Sequence, residues 1–211
     1  MERRDSAEFE EKRRRILAGA LRVFAEKGYQ RATNREIARA AGIGSPGLIY
    51  HYFESKGDLF RQVFLDRLPF LKIVGEGRVG LDGPPEEVLP AVARAVAAGM
   101  LEDEEARTFW KLVLAEAMRN PEAAAIVNEV GPGRMMDVMT GYMARQMERG
   151  ALRRMDPAAA VRCFAGGLVL YFVQREVLGQ EAALRATPEE MVAAVVSVFL
   201  DGMRPPAPEG E

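Results

Sequence analysis

Apolar residues recur at three- and four-residue spacing along nearly the whole chain, and nowhere in the two-residue alternation of a half-buried strand. Ile16, Ala20, Val23 and Phe24 form the stripe of a first helix predicted over about 9–27 and closed by Gly28. Thr33 caps a second helix, with Glu36 completing a capping box, Ile37, Ala38 and Ala41 on its apolar side, and Gly42 at its end. Ser45 and Pro46 open a third, which carries Leu48, Ile49, Tyr50, His51, Tyr52 and Phe53. Ser55 caps a fourth, with Leu59, Phe60, Val63, Phe64 and Leu68 at helical spacing and Pro69 expected to kink or end it. The glycine-rich stretch from Val74 to Pro85 reads as a surface loop and the hinge region between domains.

Beyond that loop the pattern is helical throughout. Helices are predicted from Pro85 to about Gly99 and from Asp103 to Arg119. Another starts at Asn120-Pro121, is interrupted at Gly131-Pro132-Gly133 and resumes to Arg149. The last two run from Pro157 to near Leu178 and from Pro188 to about Met203. Residues 1 to about 8 are expected to form a disordered leader, and residues 205–211 a disordered tail. The expected fold is all-α, with about nine helices.

The stretch Thr33–Lys56 holds the candidate chemistry. Its two short helices joined by a glycine-containing turn have the layout of a helix-turn-helix, whose second helix enters the major groove while flanking groups hold phosphates. Tyr50, His51 and Tyr52 are either core aromatics of this unit or a face for a partner. Leu48, Ile49 and Phe53 already supply the apolar side such a helix needs, which favours the partner.

The sequence FAEKGYQRATNREIARAAG followed by SPGLIYHYFESK resembles the N-terminal domain of the TetR (tetracycline-repressor-like) transcriptional regulators. The resemblance rests on Phe24, Gly28, Thr33, Ile37, Gly42, Tyr50, Phe53 and Lys56 in that order, within the first quarter of the chain. One departure stands out: from Ile37 to Tyr50 there is one residue more than the usual family spacing, most simply a glycine near Gly44. The resemblance implies a DNA-binding domain over 1–54 and a helical-bundle ligand-binding and dimerisation domain over 55–204. It places Tyr50 against backbone phosphate, and Ser45, Pro46, Gly47, Leu48 and His51 toward the groove of a double-stranded operator. Thr33 and Lys56, at two helix starts, are expected either to hold phosphates or simply to cap and stay solvated. No arginine or asparagine stands in the third helix for bidentate base readout, so substantial readout of DNA shape is expected. Arg13, Arg14 and Arg15 are expected to form a solvated basic face.

Charge supports this division. The net charge of the 211 residues is -2, but residues 1–56 hold 12 Lys/Arg against 8 Asp/Glu (+4), and the remainder 17 against 23 (-6). A basic module on an acidic body is the asymmetry expected when one end meets phosphate. A single cysteine, Cys163, fits a reducing cytoplasm, and the N-terminus has no apolar signal-peptide core. The longest apolar runs, near 164–173 and 191–200, are about half a membrane span, so no membrane partner is expected. His51 is the only histidine and no GxxxxGK[ST] loop is present, so neither an enzyme nor a cofactor is expected.

In the body, Met135, Met139, Met143 and Met147 recur every four residues beside Met136 and Tyr142. Such a stripe is either core or an adaptable pocket. With Met100, Trp110, Phe164 and Tyr171 it would line a cavity for an apolar or amphipathic effector. Leu168, Phe172, Val195 and Phe199 belong to an apolar surplus expected at an oligomer interface. The resemblance implies a homodimer through a four-helix bundle, acting as a ligand-released repressor on a near-palindrome. The alternative is a helical dimer that binds small molecules or scaffolds without binding DNA, and specific duplex binding separates the two.

Overall fold

A computed structural model of the chain describes residues 2–67 and 81–205. The expected kink at Pro69, most of the glycine-rich hinge and the tail beyond 205 lie outside the described residues. Among the described residues there are ten α-helices and no strand. They are α1 Glu2–Arg31, α2 Asn34–Ala41, α3 Lys56–Asp66, α4 Pro85–Leu101, α5 Glu104–Arg119, α6 Pro121–Val130, α7 Pro132–Glu148, α8 Pro157–Phe172, α9 Glu181–Arg185 and α10 Pro188–Gly202. A 3₁₀ helix, Pro46–His51, lies between α2 and α3, and a π turn, Val173–Val177, prolongs α8.

Local signals explain most of these limits. Thr33 and Glu36 close a capping box on α2, and Gly42 ends it with φ 64. Ser45, Ser55, Asn120, Asp156 and Thr187 each accept a backbone N–H bond at the start of their helices. Gly28 (φ 77) breaks the regular course of α1 near the residue where that helix was expected to close.

Two expectations are corrected. The leader is helical from Glu2, where Glu, Arg and Ala are good helix formers and Glu8–Lys12 and Glu11–Arg14 pair along the helix surface. The third element is a 3₁₀ helix rather than an α-helix. The interruption expected at Gly131-Pro132-Gly133 is present: Gly131 leaves helical geometry and Pro132 starts a separate helix. The short α9 has no strong signal in sequence. In addition, Pro157–Val177 is long and apolar enough by composition to cross a membrane, although Val161, Phe164 and Leu168 on it are buried in a packed core.

The chain divides into two compact units: Met1–Arg67 with Thr108–Gly131, and Leu68–Arg107 with Pro132–Glu211. In the first, α1, α2 and α3 enclose Ile16, Ala20, Phe24, Ile37, Leu59 and Phe60. Gly19 lets α1 approach α2, since a Cβ there would stand 2.7 Å from the Ala41 nitrogen. Phe24 and Phe60 meet edge to face at 5.3 Å, with Tyr29 5.0 Å from Phe60. Helix α6 joins this unit through Tyr29, which donates to Glu122 at 3.0 Å, and through a two-pronged Arg61–Glu129 pair.

In the second unit, Val88, Leu89 and Val92 of α4 pack with the methionines of α7, Phe164 and Leu168 of α8 and Phe199 of α10. Three side chains of α7, and Arg149 just beyond its end, fasten residues 81–83. Tyr142 and Gln146 donate to the Gly83 carbonyl at 3.2 and 3.1 Å, Arg145 to that of Leu81 at 3.3 Å, and Arg149 to that of Asp82 at 3.2 Å.

Candidate nucleic-acid interface

The surface carrying the helix-turn-helix residues is built on very little burial. Of the residues in Pro46–His51 only Ile49 is buried, and the segment is followed by the buried Phe53. These two anchors turn Tyr50 and His51 outward, with Tyr50 61% exposed. Ser45, Pro46 and Gly47 are exposed as well, and Leu48 is half-buried. Apart from the half-buried Leu48, the sequence-predicted groove residues are thus all exposed. Ser45 uses its oxygen to accept from the Gly47 nitrogen at 3.2 Å, which leaves its hydroxyl hydrogen available to an outside acceptor.

Thr33 and Lys56 are differently placed. The Thr33 hydroxyl donates to Glu36 Oε2 at 2.8 Å, so its donor is already engaged. Lys27 and Thr33 hold the Glu36 carboxyl down to about 2, the Lys27 hydrogen bond being the larger cause. The start of α2 thus carries its own carboxylate. Lys56 donates to the Gln30 carbonyl at 3.0 Å and lies over the Tyr29 ring at 4.8 Å. Burial lowers its pKa, against the pull of Glu122 and Glu116. Tyr29 itself is pushed up to about 12, first by burial and then by its bond to Glu122.

Two cations went unremarked in the sequence. Arg35 and Arg39 stand one turn apart on α2, both exposed and neither with a side-chain partner among the described residues. The signal was present in NREIARAA: with Ile37, Ala38 and Ala41 buried, positions 35 and 39 must face outward. Of the expected solvated arginines, Arg14 is exposed and pairs with Glu11, whereas Arg13 and Arg15 are bound to other elements of the unit.

The predicted effector residues fall into separate settings. Met139, Tyr142 and Met143 are 2%, 0% and 0% exposed and pack with Phe164, while Met135 is half-buried at the edge of the same core. Burial pushes the Tyr142 hydroxyl pKa up. Met100 is buried on α4, and Tyr171 donates to the Ala186 carbonyl at 2.7 Å. Trp110 belongs to the first unit, where its ring meets Phe64 and Phe109 at 5.9 and 5.6 Å.

The predicted interface residues Leu168, Phe172 and Phe199 are buried within the chain itself, while Val195 is half-buried. Beside Val195 runs an apolar groove of about 400 Å³ between α8 and α10, lined by Cys163, Gly167, Met191, Ala194 and Val198. Val169, Leu170 and Val198 are 42%, 57% and 74% exposed on these two helices.

Two family models match the chain. Residues 16–63 match the model of bacterial regulatory proteins of the tetR family. Residues 87–202 match the C-terminal domain of AefR-like transcriptional repressors. The HTH-type transcriptional regulator AcrR of Shigella flexneri is 31% identical over 114 residues, 54% of this chain and 53% of its own length. An HTH-type transcriptional repressor of Mycobacterium tuberculosis is 29% identical over 160 residues, covering 72% of this chain and 75% of that protein. The match thus spans about half the length of the first relative and three quarters of the second. Among solved structures, one from Mesorhizobium loti described as a TetR-family transcriptional regulator superposes with a TM-score of 0.65. It is 27% identical and covers 90% of this chain and 96% of its own.

Proposed function

Because the chain belongs to the TetR family of bacterial regulatory proteins, we propose that it is a ligand-responsive transcriptional repressor that binds a near-palindromic DNA operator as a homodimer in the cytoplasm. Its work is binding, not catalysis. The observation that carries the reading is the outward face of residues 45–51, where Tyr50 and His51 are exposed polar aromatics on a segment anchored by Ile49 and Phe53. On this reading Tyr50, Arg35 and Arg39 hold phosphates, while Ser45, Pro46, Gly47, Leu48 and His51 face the groove. Lys56 and the Thr33 cap contribute from the rim by shaping the helix starts.

The exposed faces of α8 and α10 are the surface through which two copies pair, with Val195 and Val198 at its centre. Two heads related by a two-fold axis would then read the two halves of the operator. An apolar or amphipathic effector would enter the methionine-rich core of the second unit, where flexible thioethers repack at low cost. Release follows if the effector prefers the conformation that does not bind DNA. Equal effector affinity with and without bound operator would exclude this coupling.

The direct test is fluorescence anisotropy on duplexes taken from the DNA flanking the gene, across a salt series. Tight binding that resists competitor DNA, weakens with salt and is lost in Tyr50→Ala/His51→Ala is expected. If no duplex from those flanks and none selected from random sequence is bound, the reading is wrong.

A further inference from the structure

We infer that the part of α1 preceding residue 16 is a positioning clamp for the DNA-reading segment, with Arg15 holding its start and Phe9 its end. The inference rests on the DNA-binding reading above, and concerns residues N-terminal to the family-model match, which begins at residue 16.

The reading segment is anchored in its own unit by the buried Ile49 and Phe53. It follows a turn at Gly42–Ile43–Gly44 and is a 3₁₀ helix of 6 residues, a geometry with weak internal bonding. Beyond the bonds inside that helix, Ser45 accepts from the Gly47 nitrogen, the Leu48 nitrogen donates to the Ser45 carbonyl at 3.1 Å, and the Tyr52 and Phe53 nitrogens donate to the Ile49 carbonyl at 3.0 Å. Side chains from a neighbouring helix add to these in setting its pitch over the groove.

Three side chains of α1 do this. The Arg15 guanidinium donates to the Ala41 carbonyl through Nε (3.1 Å) and Nη2 (2.9 Å), and to the Gly42 carbonyl at 2.6 Å. These are the last carbonyls of α2 and the first of the turn, groups that the helix itself leaves without donors. Arg15 fills the space over Gly42, where a Cβ would stand 2.7 Å from Nη2. At the other end, the Phe9 ring stacks on Tyr52 with centroids 4.5 Å apart and planes at 29°. Arg13, one turn further along, lies over the Phe53 ring at 5.7 Å and donates to Gln62 of α3 at 2.8 Å. Residues 9, 13 and 15 thus hold the chain on both sides of Tyr50 and His51.

A positioning residue and a phosphate contact leave different traces. Removing a phosphate contact lowers the dependence of log affinity on log salt by about 0.9. Removing a positioning residue weakens specific binding, leaves that slope unchanged and spares non-specific binding. The probe is a duplex selected by the wild-type protein from random-sequence DNA, with an unselected duplex as the non-specific control.

Phe9→Ala and Arg15→Gln are each expected to bind the selected duplex about tenfold more weakly. Both should keep the wild-type salt slope and affinity for the unselected duplex, and Phe9→Tyr should restore binding. Arg15→Lys keeps the charge but loses the two-carbonyl fork, so a lysine that rescues fully would show that charge alone matters. Circular dichroism and thermal unfolding check the fold of each variant. Phe9 is 44% exposed, so its truncation is expected to leave the fold intact even if changes at Arg15 do not. Wild-type binding with equally tight variants, or variants with a reduced salt slope, would overturn the clamp alone. A wild-type protein that selects no duplex would overturn the DNA-binding reading itself.

Discussion

Thr33 and Glu36 bond each other reciprocally at the start of α2: the Glu36 nitrogen donates to the Thr33 hydroxyl oxygen at 3.3 Å, and the Thr33 nitrogen to Glu36 Oε2 at 3.1 Å. Thr33→Ala should cost about 1 kcal/mol of stability through the lost cap, read as a shift in the urea midpoint. Glu36 adds a pH dependence. Its folded-state value is depressed to about 2 from 4.5, so its contribution is fully present above 4.5 and is lost as pH falls toward 2. The difference in melting temperature between wild type and Glu36→Gln should therefore shrink over that range. A difference that stayed constant from pH 6 to pH 2 would remove Glu36 from the account.

The two glycines of the turn should behave oppositely. Gly42 sits at φ 64 with Arg15 against the space of its missing Cβ, so Gly42→Ala meets both backbone strain and a contact. It should destabilise by about 1–2 kcal/mol. A Cβ on Gly44 would meet nothing within 4 Å, and its φ is not positive. Gly44→Ala should be neutral or stabilise by about 0.4–1 kcal/mol by restricting the unfolded chain. Denaturant unfolding of both variants measures the contrast, and a Gly44→Ala as costly as Gly42→Ala would refute it.

These positions also show what the sequence could and could not disclose. Caps at Thr33, Ser45, Ser55, Asn120, Asp156 and Thr187 are local events between residues two or three apart, so spacing alone reveals them. The outward face of Tyr50 and His51 was legible because the apolar residues around them are enough for the core. The 3₁₀ geometry was not, since Ser45-Pro46 opens either kind of helix. Nor was the burial of Leu168, Phe172 and Phe199: an apolar surplus on two helices does not say which stripe the chain covers and which it leaves to a partner. The grouping of residues 108–131 with the N-terminal helices depends on long-range pairs such as Tyr29–Glu122 and Arg61–Glu129, which no local pattern encodes.

Arg35 and Arg39 are expected to act on DNA through phosphate. Each alanine substitution should weaken binding to all duplexes nearly uniformly and lower the salt slope by about 0.9. Fold stability should change by no more than about 0.5 kcal/mol, because both side chains are exposed. A loss confined to one operator sequence would instead make the residue concerned a base reader.

The methionine-rich core should be costly to hollow out. Met143 is 0% exposed among Tyr142, Phe164 and its neighbouring thioethers, so Met143→Ala should destabilise by about 2–5 kcal/mol. Met143→Leu should cost less than about 1.5 kcal/mol, since volume is nearly kept. Chemical denaturation reports both, and a tolerated alanine would mean that this core already holds open space for a ligand.

The exposed face of α8 and α10 yields a test of assembly. Val198 is 74% exposed and borders the groove lined by Val195, Ala194 and Cys163. In an isolated chain, Val198→Glu would change stability by less than about 0.5 kcal/mol, since the side chain touches water already. At the centre of a two-fold interface the same change sets two carboxylates in a desolvated apolar patch, where burying a charge is far more costly. Sedimentation velocity should show wild type at twice the 23.3 kDa chain mass and Val198→Glu as a monomer. Leu184→Glu serves as the control: that residue is 51% exposed on α9, away from the groove, and should leave the dimer intact. Operator affinity should fall with the dimer in Val198→Glu and stay unchanged in the control, because one head alone meets only half of the operator. A Val198→Glu protein that remained dimeric would move the interface off this face.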